Sequence, residues 1–338
     1  MKKKTTKRTV IEFWKDYGFE AVNDVFNAVL ENIRTGVIVV HDGAEFHTDE
    51  VRGIAVASLV RDKLIKQGED IPVFKIIRTR DKNILLKAKE NNWLVLDVGE
   101  GYLDHHMPLE VAAFRETGEQ YAAAGLIWAA CGSFLCDGLD SVAKKIDRAI
   151  FLPGDNSDTG VNTTDFLLEE YCSPSCLENE SNLMSEMMYC IEVEKHMISR
   201  AIRHMVDAYE LSKIAEEEIA SKLPDAEQTG IIVLSRHLPW KEILIPTKVK
   251  IVIVDRTDNE GEDKWTATVV PIAPNTFKSK INFPIKMNGN VIAGLRGEEL
   301  RKATGISGLN FLHSGAWFAT SSDFESIMQL AKYTIANC

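Results

Sequence analysis

Apolar runs and amphipathic segments alternate along the first hundred residues. Short apolar runs predict strands at 37–40 (VIVV), 72–79 and 93–99. The two segments between them, 50–68 and 81–92, have the periodicity of amphipathic helices. Thr48 and Asp81 are the expected N-caps, and Gly68 is expected to end the first of these helices. This alternation is typical of βαβ units, whose parallel sheet is covered by helices on both faces.

The remainder of the chain divides into helical stretches and a β-rich part. Amphipathic or helical patterns cover 9–34, 117–151 and 181–222. From residue 230 onward the runs IIVLS, KVKIVIVD and WTATVVPI predict strands, and 323–336 predicts a closing helix. The expected fold class is therefore α/β, with a parallel sheet wound by helices and a second, smaller α+β domain.

Composition limits the classes of protein that fit. The chain has 338 residues, 45% hydrophobic and 26% charged, as in ordinary soluble proteins of about two domains. Its net charge of −11 argues against sequence-independent binding to long duplexes, but bound divalent cations would reverse the local charge of a nuclease site. The sequence contains neither a membrane-length apolar run nor a signal-peptide core, so we expect a cytoplasmic protein. Its six cysteines lack framework spacing and are expected to be free thiols.

Polar side chains follow the predicted strands at their carboxyl ends, where parallel sheets bind ligands. The stretch HDGAEFHTDE (41–50) follows the first strand, and Asp97 ends the third. The candidate ligands are His41, His47, Asp49, Asp97, Asp104, His105, His106 and, in LPGDNSDTG, Asp155. Carboxylates and imidazoles without thiolates suit Mn²⁺ or Mg²⁺, with Zn²⁺ as an alternative. Because buried carboxylates are costly unless cations pair with them, we expect a metal site here.

A series of motifs resembles the MYG-one (melanocyte proliferating gene one) family, which is grouped with the DHH phosphoesterases. In the first half these are HDGAEFHTDE, IIRTRD (76–81), LDVG (96–99), YLDHH (102–106), AGLIW (124–128) and DN (155–156). In the second half they are LPWKE (238–242), GLRGEEL (294–300) and TGISGLNFLHSGAWFA (304–319). The resemblance covers roughly 37 to 336 and leaves out the first 36 residues.

The resemblance implies a two-lobed, manganese-type hydrolase with 3′-to-5′ exonuclease activity on RNA or DNA. Two ions per chain would be held by His41, His47, Asp49, Asp97, His105 and Asp155, with Asp97 shared between them. A hydroxide bound to the ions would be the nucleophile. His106 would act as general acid, and Asp104 would orient an imidazole. Glu50 is expected to do no more than place charge at a helix N-terminus.

The substrate contacts are expected on both halves of the chain. The candidates are Arg78, Arg80, Asn156, Arg296, His313 and Ser314. A salt bridge with Asp81 or a neighbouring acid is the alternative for the first two arginines, and ordinary capping is the alternative for Arg296 and His313. Trp240 is equally compatible with a core position and with a stacking surface. The sequence departs from the wider DHH pattern at His47, where aspartate is common, and at Ser157, where glycine often follows Asp-Asn.

These inferences give a domain plan and three functional hypotheses. The plan is a helical extension (1–36), a DHH-like metal-binding catalytic domain (37–170), a helical linker (171–229) and a C-terminal substrate-binding domain (230–338). The extension is expected to be dispensable for chemistry. The first hypothesis is an exonuclease on short or single-stranded nucleic acid. The alternatives are a small-phosphate or (cyclic) dinucleotide hydrolase and a catalytically silent metal-binding regulatory protein. A homodimer is one expected state.

Overall fold

The chain folds into two units, Met1–Val206 and Asp207–Cys338. A computed structural model describes residues 7–43, 46–161, 180–258, 260–274, 276 and 278–337. Cys172 and Cys176 of the CSPSC segment lie outside the described residues, whereas Cys131 and Cys136 are free thiols, and both of them and Cys190 are buried. None of the described helices combines the length and the apolarity that a membrane span requires.

The first unit contains these elements in chain order: β1 (Arg8–Thr9), α1 (Val10–Lys15), α2 (Val22–Arg34), β2 (Val37–Val40), α3 (Thr48–Lys66), β3 (Lys75–Arg78), α4 (Lys82–Glu90), β4 (Leu94–Val95), β5 (Ala113–Phe114), α5 (Ala123–Leu135), α6 (Asp140–Ile146), a π-helical turn (Asp147–Phe151) and α7 (Leu152–Asp158). A long helix, α8 (Glu180–Thr229), contains the division between the two units.

The central sheet of the first unit has three parallel strands in the order β3-β2-β4. This confirms the parallel βαβ pattern, and Asp81 caps α4 as expected by accepting a hydrogen bond from the Asn83 amide at 2.7 Å. The outer strands are shorter than predicted, and α3 is capped by His47 instead of Thr48. The small and apolar helix α5 is buried over most of its length beside α3, as expected for a helix inside a core.

The N-terminal segment, predicted as a helical extension, is helical and packs as part of the first unit. Its pattern yields two helices because Gly18, with a φ of 85°, lies in the turn between α1 and α2. Phe13 and Trp14 of α1 are each 1% exposed. On α2, Val25, Val29 and Ile33 are fully buried. β1 also pairs in parallel with β5.

The second unit is built on a five-stranded sheet in the order β11-β12-β8-β7-β6. Its strands are β6 (Ile231–Leu234), β7 (Ile251–Asp255), β8 (Trp265–Val269), β11 (Leu309–Leu312) and β12 (Phe318–Ser321), and a separate hairpin contains β9 (Lys286–Met287) and β10 (Asn290–Val291). Its shorter helices are α9 (Lys241–Leu244), α10 (Gly297–Thr304) and α11 (Phe324–Asn337). β6 and β7 are parallel, and the other pairs in this sheet are antiparallel.

Helices cover both faces of this sheet. Adjacent residues of β7 point to opposite faces of the sheet. Ile253 packs in a core that contains residues of α10 and α11. Val254 packs in a second core on the other face. Ala215 and Ile219 of α8 pack in that second core, so the end of the expected linker belongs to this unit. Trp240 lies in the same core and is 5% exposed, which leaves it no surface for stacking on a substrate.

Candidate metal centre

The carboxyl ends of β2 and β4 bring imidazoles and carboxylates of the first unit together. Among the described residues, three overlapping groups have ligand-type atoms within 4.8 Å of one another: Asp97, Asp104, His105 and His106; His47, Asp49 and Asp97; and Asp49, His105 and Asp158. Four of the six predicted metal ligands are in these groups. The predicted ligands His41 and Asp155 are outside them.

Asp97 connects two of these groups. It lies two residues beyond the end of β4, is 1% exposed and has a φ of 61°, in the left-handed region that few non-glycine residues adopt. Its Oδ1 lies 3.1 Å from His105 Nδ1 and 3.3 Å from His106 Nδ1, yet neither Asp97 oxygen is aligned to accept a hydrogen bond from a described residue. A buried carboxylate without hydrogen bonds is costly, and a divalent cation is the partner that would satisfy it.

His105 lies between carboxylates on both sides of its ring. Its Nε2 is 2.8 Å from Asp158 Oδ2, and its Nδ1 faces Asp97 and, at 3.8 Å, Asp49 Oδ2. Burial opposes the charged imidazole, but the nearby carboxylates of Asp158, Asp97 and Asp49 outweigh it and raise the pKa of His105 to about 11. Burial, together with the charges of Asp97 and Asp158, raises the pKa of Asp49. The negative charge concentrated here, with hard and borderline ligand atoms, fits a divalent cation.

Asp104 and His106 form a pair at the rim of the cluster. Asp104 Oδ1 lies 3.0 Å from both the backbone nitrogen and Nδ1 of His106, and Oδ2 accepts a hydrogen bond from the Glu100 amide at 2.7 Å. Burial works to raise the pKa of Asp104, but the bonds from His106 and Glu100 lower it. The bond to Asp104 raises the pKa of His106. Because half of the His106 side chain is exposed, the imidazole can exchange a proton with a bound molecule.

His41 lies beside the cluster but is not in its ligand groups. Its Nδ1 accepts a hydrogen bond from the Gly43 amide at 3.0 Å, and its ring centre is 5.1 Å from that of His47. Glu50 does more than the sequence predicted: its Oε2 accepts a hydrogen bond from the His47 amide at 2.9 Å and so fixes the backbone of that ligand. Glu50 is fully buried, and burial raises its pKa to about 8.

The structure places Asp158, and not Asp155, at the cluster. Asp155 is 1% exposed; its Oδ2 accepts from Arg115 Nη2 at 2.7 Å and its Oδ1 from the Gly125 amide at 3.1 Å. Burial raises the pKa of Asp155 to about 7 against the opposite effect of Arg115. Three residues later, Asp158 ends α7 and contacts His105. One feature of the sequence could have indicated this residue. An acid at the C-terminus of a helix interacts unfavourably with the helix dipole, so Asp158 is not there to stabilise the helix.

Of the predicted substrate residues of the first unit, Arg78 and Arg80 contact the segment after β2, and Asn156 lies in α7. Arg78 Nη2 donates to the Gly43 carbonyl at 2.7 Å. Arg80 Nε lies 3.5 Å from Asp42 Oδ1, which is the salt bridge with a neighbouring acid that the alternative hypothesis allowed. The buried Asn156 Oδ1 has no hydrogen-bond partner among the described residues.

In the second unit, Arg296 and His313 share an aromatic neighbour. The guanidinium of Arg296, at the N-cap of α10, lies 4.5 Å from the ring centre of Phe311, and the His313 ring is 6.1 Å from the same ring. His313 Nδ1 accepts from the Gly315 amide at 2.9 Å, as in a capped turn. Ser314 is exposed in this turn.

The fold and this cluster define a mixed α/β protein with a candidate metal centre. Residues 37–335 match the family model MYG1_exonuc, described as "Uncharacterised protein family (UPF0160)", and the chain belongs to this family. The MYG1 protein of Saccharomyces cerevisiae is 24% identical over 360 residues, covering 93% of this chain and 100% of its own length.

Two other relatives have comparable similarity. The MYG1 protein of Dictyostelium discoideum is 24% identical, with 88% of this chain and 96% of that protein covered. The MYG1 exonuclease of Bos taurus is also 24% identical, with 88% and 84% covered. No solved structure gives a significant match. The name of the Bos taurus relative points to nuclease activity in this family.

Proposed function

We propose that the chain is a metal-dependent phosphodiesterase that acts as a 3′-to-5′ exonuclease on RNA or short single-stranded nucleic acid. The observation that carries this proposal is Asp97, whose two buried oxygens accept no hydrogen bond from any described residue and lie in an Asp and His cluster. The name of the bovine relative, MYG1 exonuclease, supports the choice of reaction. The order of motifs around YLDHH supports a place among the DHH phosphoesterases.

His47, Asp49, Asp97 and His105 are the residues proposed to hold two manganese-type ions. Asp97 belongs to two of the three ligand groups, which suits a carboxylate shared between ions. Asp158 would hold His105 Nε2 and leave Nδ1, which faces Asp97, as the ligand atom. Bound ions would activate water and offset the charge of a phosphodiester, with Mg²⁺ and Zn²⁺ as the alternatives to Mn²⁺.

His106 is the proposed general acid. Its Nδ1 is engaged by Asp104, so the proton that can leave the ring is the one on Nε2. The raised pKa of His106 keeps this proton in place near neutral pH, and the half-exposed ring can present it to a leaving oxygen. Asp104 therefore acts through His106, as an orienting residue.

Arg296, His313 and Ser314 are proposed to bind the end of the nucleic acid, and Arg78, Arg80 and Asn156 its phosphates. Guanidinium groups suit this role because their planar donors match phosphate oxygens. The net charge of −11 favours short or single-stranded substrates over long duplexes. Binding of a strand end would favour removal of terminal nucleotides over internal cleavage.

The polarity of digestion is the test of this proposal. A short RNA labelled at its 5′ end, incubated with the protein and Mn²⁺, should shorten stepwise to a labelled ladder, and a blocked 3′ end should prevent this. Dinucleotides, pyrophosphate and a p-nitrophenyl phosphodiester complete the panel. Hydrolysis of only the small phosphates would overturn the exonuclease assignment. A protein that binds Mn²⁺ and hydrolyses nothing would overturn the enzymatic proposal.

A further inference from the structure

The loop 97–107, here called the ligand loop, is held in a costly backbone conformation. Asp97 and Glu100 have φ values of 61° and 54°, and Gly99 between them has 82°. Left-handed conformations of non-glycine residues cost free energy and persist only when their surroundings fix them. The loop carries Asp97, Asp104, His105 and His106, so whatever fixes its backbone also fixes four side chains of the candidate metal centre.

Two side chains of the N-terminal segment bind the carbonyl groups of this loop. Trp14 Nε1 donates to the Tyr102 carbonyl at 2.9 Å, and Tyr17 Oη donates to the Glu100 carbonyl at 3.2 Å. Glu100 is one of the two non-glycine residues of the ligand loop in the left-handed region. The hydrogen bonds therefore act on the strained part of the loop, between Asp97 and the ligands that follow.

The segment also holds the loop through the side chain of Tyr102. The Tyr102 ring packs edge-on against Phe19 at 5.1 Å, and its hydroxyl donates to Asn32 Oδ1 at 2.5 Å. Asn32 in turn donates to the Asn92 carbonyl at 2.8 Å, just before β4. α1 and α2 thus contact the chain on both sides of Asp97.

Trp14 and the N-terminal segment around it are themselves anchored. Trp14 is 1% exposed, so its indole has a fixed position from which to donate. Arg8 Nη1 forms an ion pair with Asp16 Oδ2 at 2.8 Å, and β1 pairs with β5. A fixed donor can hold a strained loop, whereas a mobile side chain could not.

We propose that residues 8–34 are a positioning element of the metal centre, in which Trp14 and Tyr17 hold the ligand loop so that Asp104, His105 and His106 keep their places around Asp97. This inference rests on the proposed function for its metal. The segment lies wholly before residue 37, where the family match begins. Trp14 and Tyr17 are positioning residues because they act on the loop backbone and not on a substrate.

The test compares Trp14→Phe with the matched variant Trp128→Phe in the full-length protein. Trp128 is 2% exposed, and its indole donates to the Ala143 carbonyl at 3.1 Å, so this control loses the same group from an equally buried site away from the loop. Two readouts are independent of catalysis: hydrogen exchange of the amides of 97–107 and titration with Mn²⁺ followed by electron paramagnetic resonance. Hydrogen exchange suits this loop because the amides of Asp97 and Asp104 donate hydrogen bonds to carbonyl groups of the same loop.

Trp14→Phe should speed exchange across the loop about tenfold and weaken Mn²⁺ binding about 10- to 100-fold, as loss of supporting contacts around metal ligands commonly does. Trp128→Phe should leave both unchanged. Wild-type behaviour of Trp14→Phe in either readout, or equal effects of the two variants, would overturn the proposal.

If Trp14→Phe does not fold, Tyr17→Phe decides in its place, because it removes a single hydroxyl from an exposed position. It should weaken Mn²⁺ binding about threefold, with faster exchange at Glu100 and its neighbours, and no change in either readout would overturn the proposal. A wild-type protein that binds no Mn²⁺ would overturn the proposed function instead. The exchange rates alone would then decide whether the segment holds the loop.

Discussion

Asp158→Asn tests directly which aspartate of α7 supports the metal centre. The wild-type carboxylate lies 2.8 Å from His105 Nε2, and its side chain is 14% exposed. Asparagine keeps the size of the side chain and a carbonyl acceptor, but it removes the negative charge. The variant should fold normally and bind Mn²⁺ more weakly, because His105 loses the charged partner that orients its ring.

The size of the effect follows from this contact. A hydrogen bond between charged groups contributes about 1.5–3 kcal/mol, which corresponds to roughly 10- to 100-fold in affinity. Because the asparagine carbonyl can still accept a weaker bond, we expect about tenfold, at the lower end. Asp155→Asn should leave the Mn²⁺ affinity unchanged, since its carboxylate is bound by Arg115 and the Gly125 amide instead.

The assay is a calorimetric titration with Mn²⁺ on both variants, after circular dichroism has shown that each is folded. Wild-type affinity in Asp158→Asn together with a large loss in Asp155→Asn would refute the assignment. That result would restore the ligand set implied by the family resemblance. Equal losses would also refute it, because α7 would then affect the metal only through its general stability.

Three further substitutions test other parts of the account. Gly125→Ala should destabilise the fold by about 1–3 kcal/mol, because a Cβ would lie 1.9 Å from Asp155 Oδ2; a wild-type urea midpoint would contradict this. Arg52→Met should cost about 3–5 kcal/mol, since it leaves the buried Glu194 without its partner; an unchanged unfolding curve would show the pair to be unimportant. Arg296→Ala should lower kcat/KM about 10- to 100-fold with full metal content, and loss of the metals would exclude a role confined to substrate binding.

The parallel sheet could be predicted because its signals are local. VIVV is buried along β2, as a strand covered on both faces should be, and Asp81 has the chemistry of an N-cap. Strand length was less predictable. The pairing of β3 begins only at Lys75, beyond Pro72, which packs against Gly36, and β4 stops where Asp97 turns into the left-handed region.

Residues of the candidate site could be predicted where the sheet topology alone brings them together. His47, Asp49, Asp97 and His105 follow strands whose carboxyl ends meet at one edge, so their convergence follows from the fold class. Asp158 could not be chosen over Asp155 in this way. The rotation of α7 decides between them, and it depends on Arg115, which lies 40 residues earlier in the chain.

The contacts of the N-terminal segment could not be predicted from the sequence, for a similar reason. Its amphipathic pattern indicates helices but does not indicate which surface they cover. Trp14 and Tyr102 are 88 residues apart, and the resemblance on which the domain plan depended begins after α2. Contacts of this kind are set by packing between distant segments.

Asp97 is proposed to hold metal ions in a hydrolytic site, and this can be checked by counting the ions bound per chain. The matched control is Asp137→Asn: Asp137 has a similar φ of 55°, but its side chain is 67% exposed and pairs with Lys63. Elemental analysis after Mn²⁺ loading should find two ions per chain in wild type and Asp137→Asn. Asp97→Asn should hold fewer than one and lose hydrolysis by several orders of magnitude. An Asp97→Asn protein that keeps both ions, or a wild-type protein that binds none, would contradict the account.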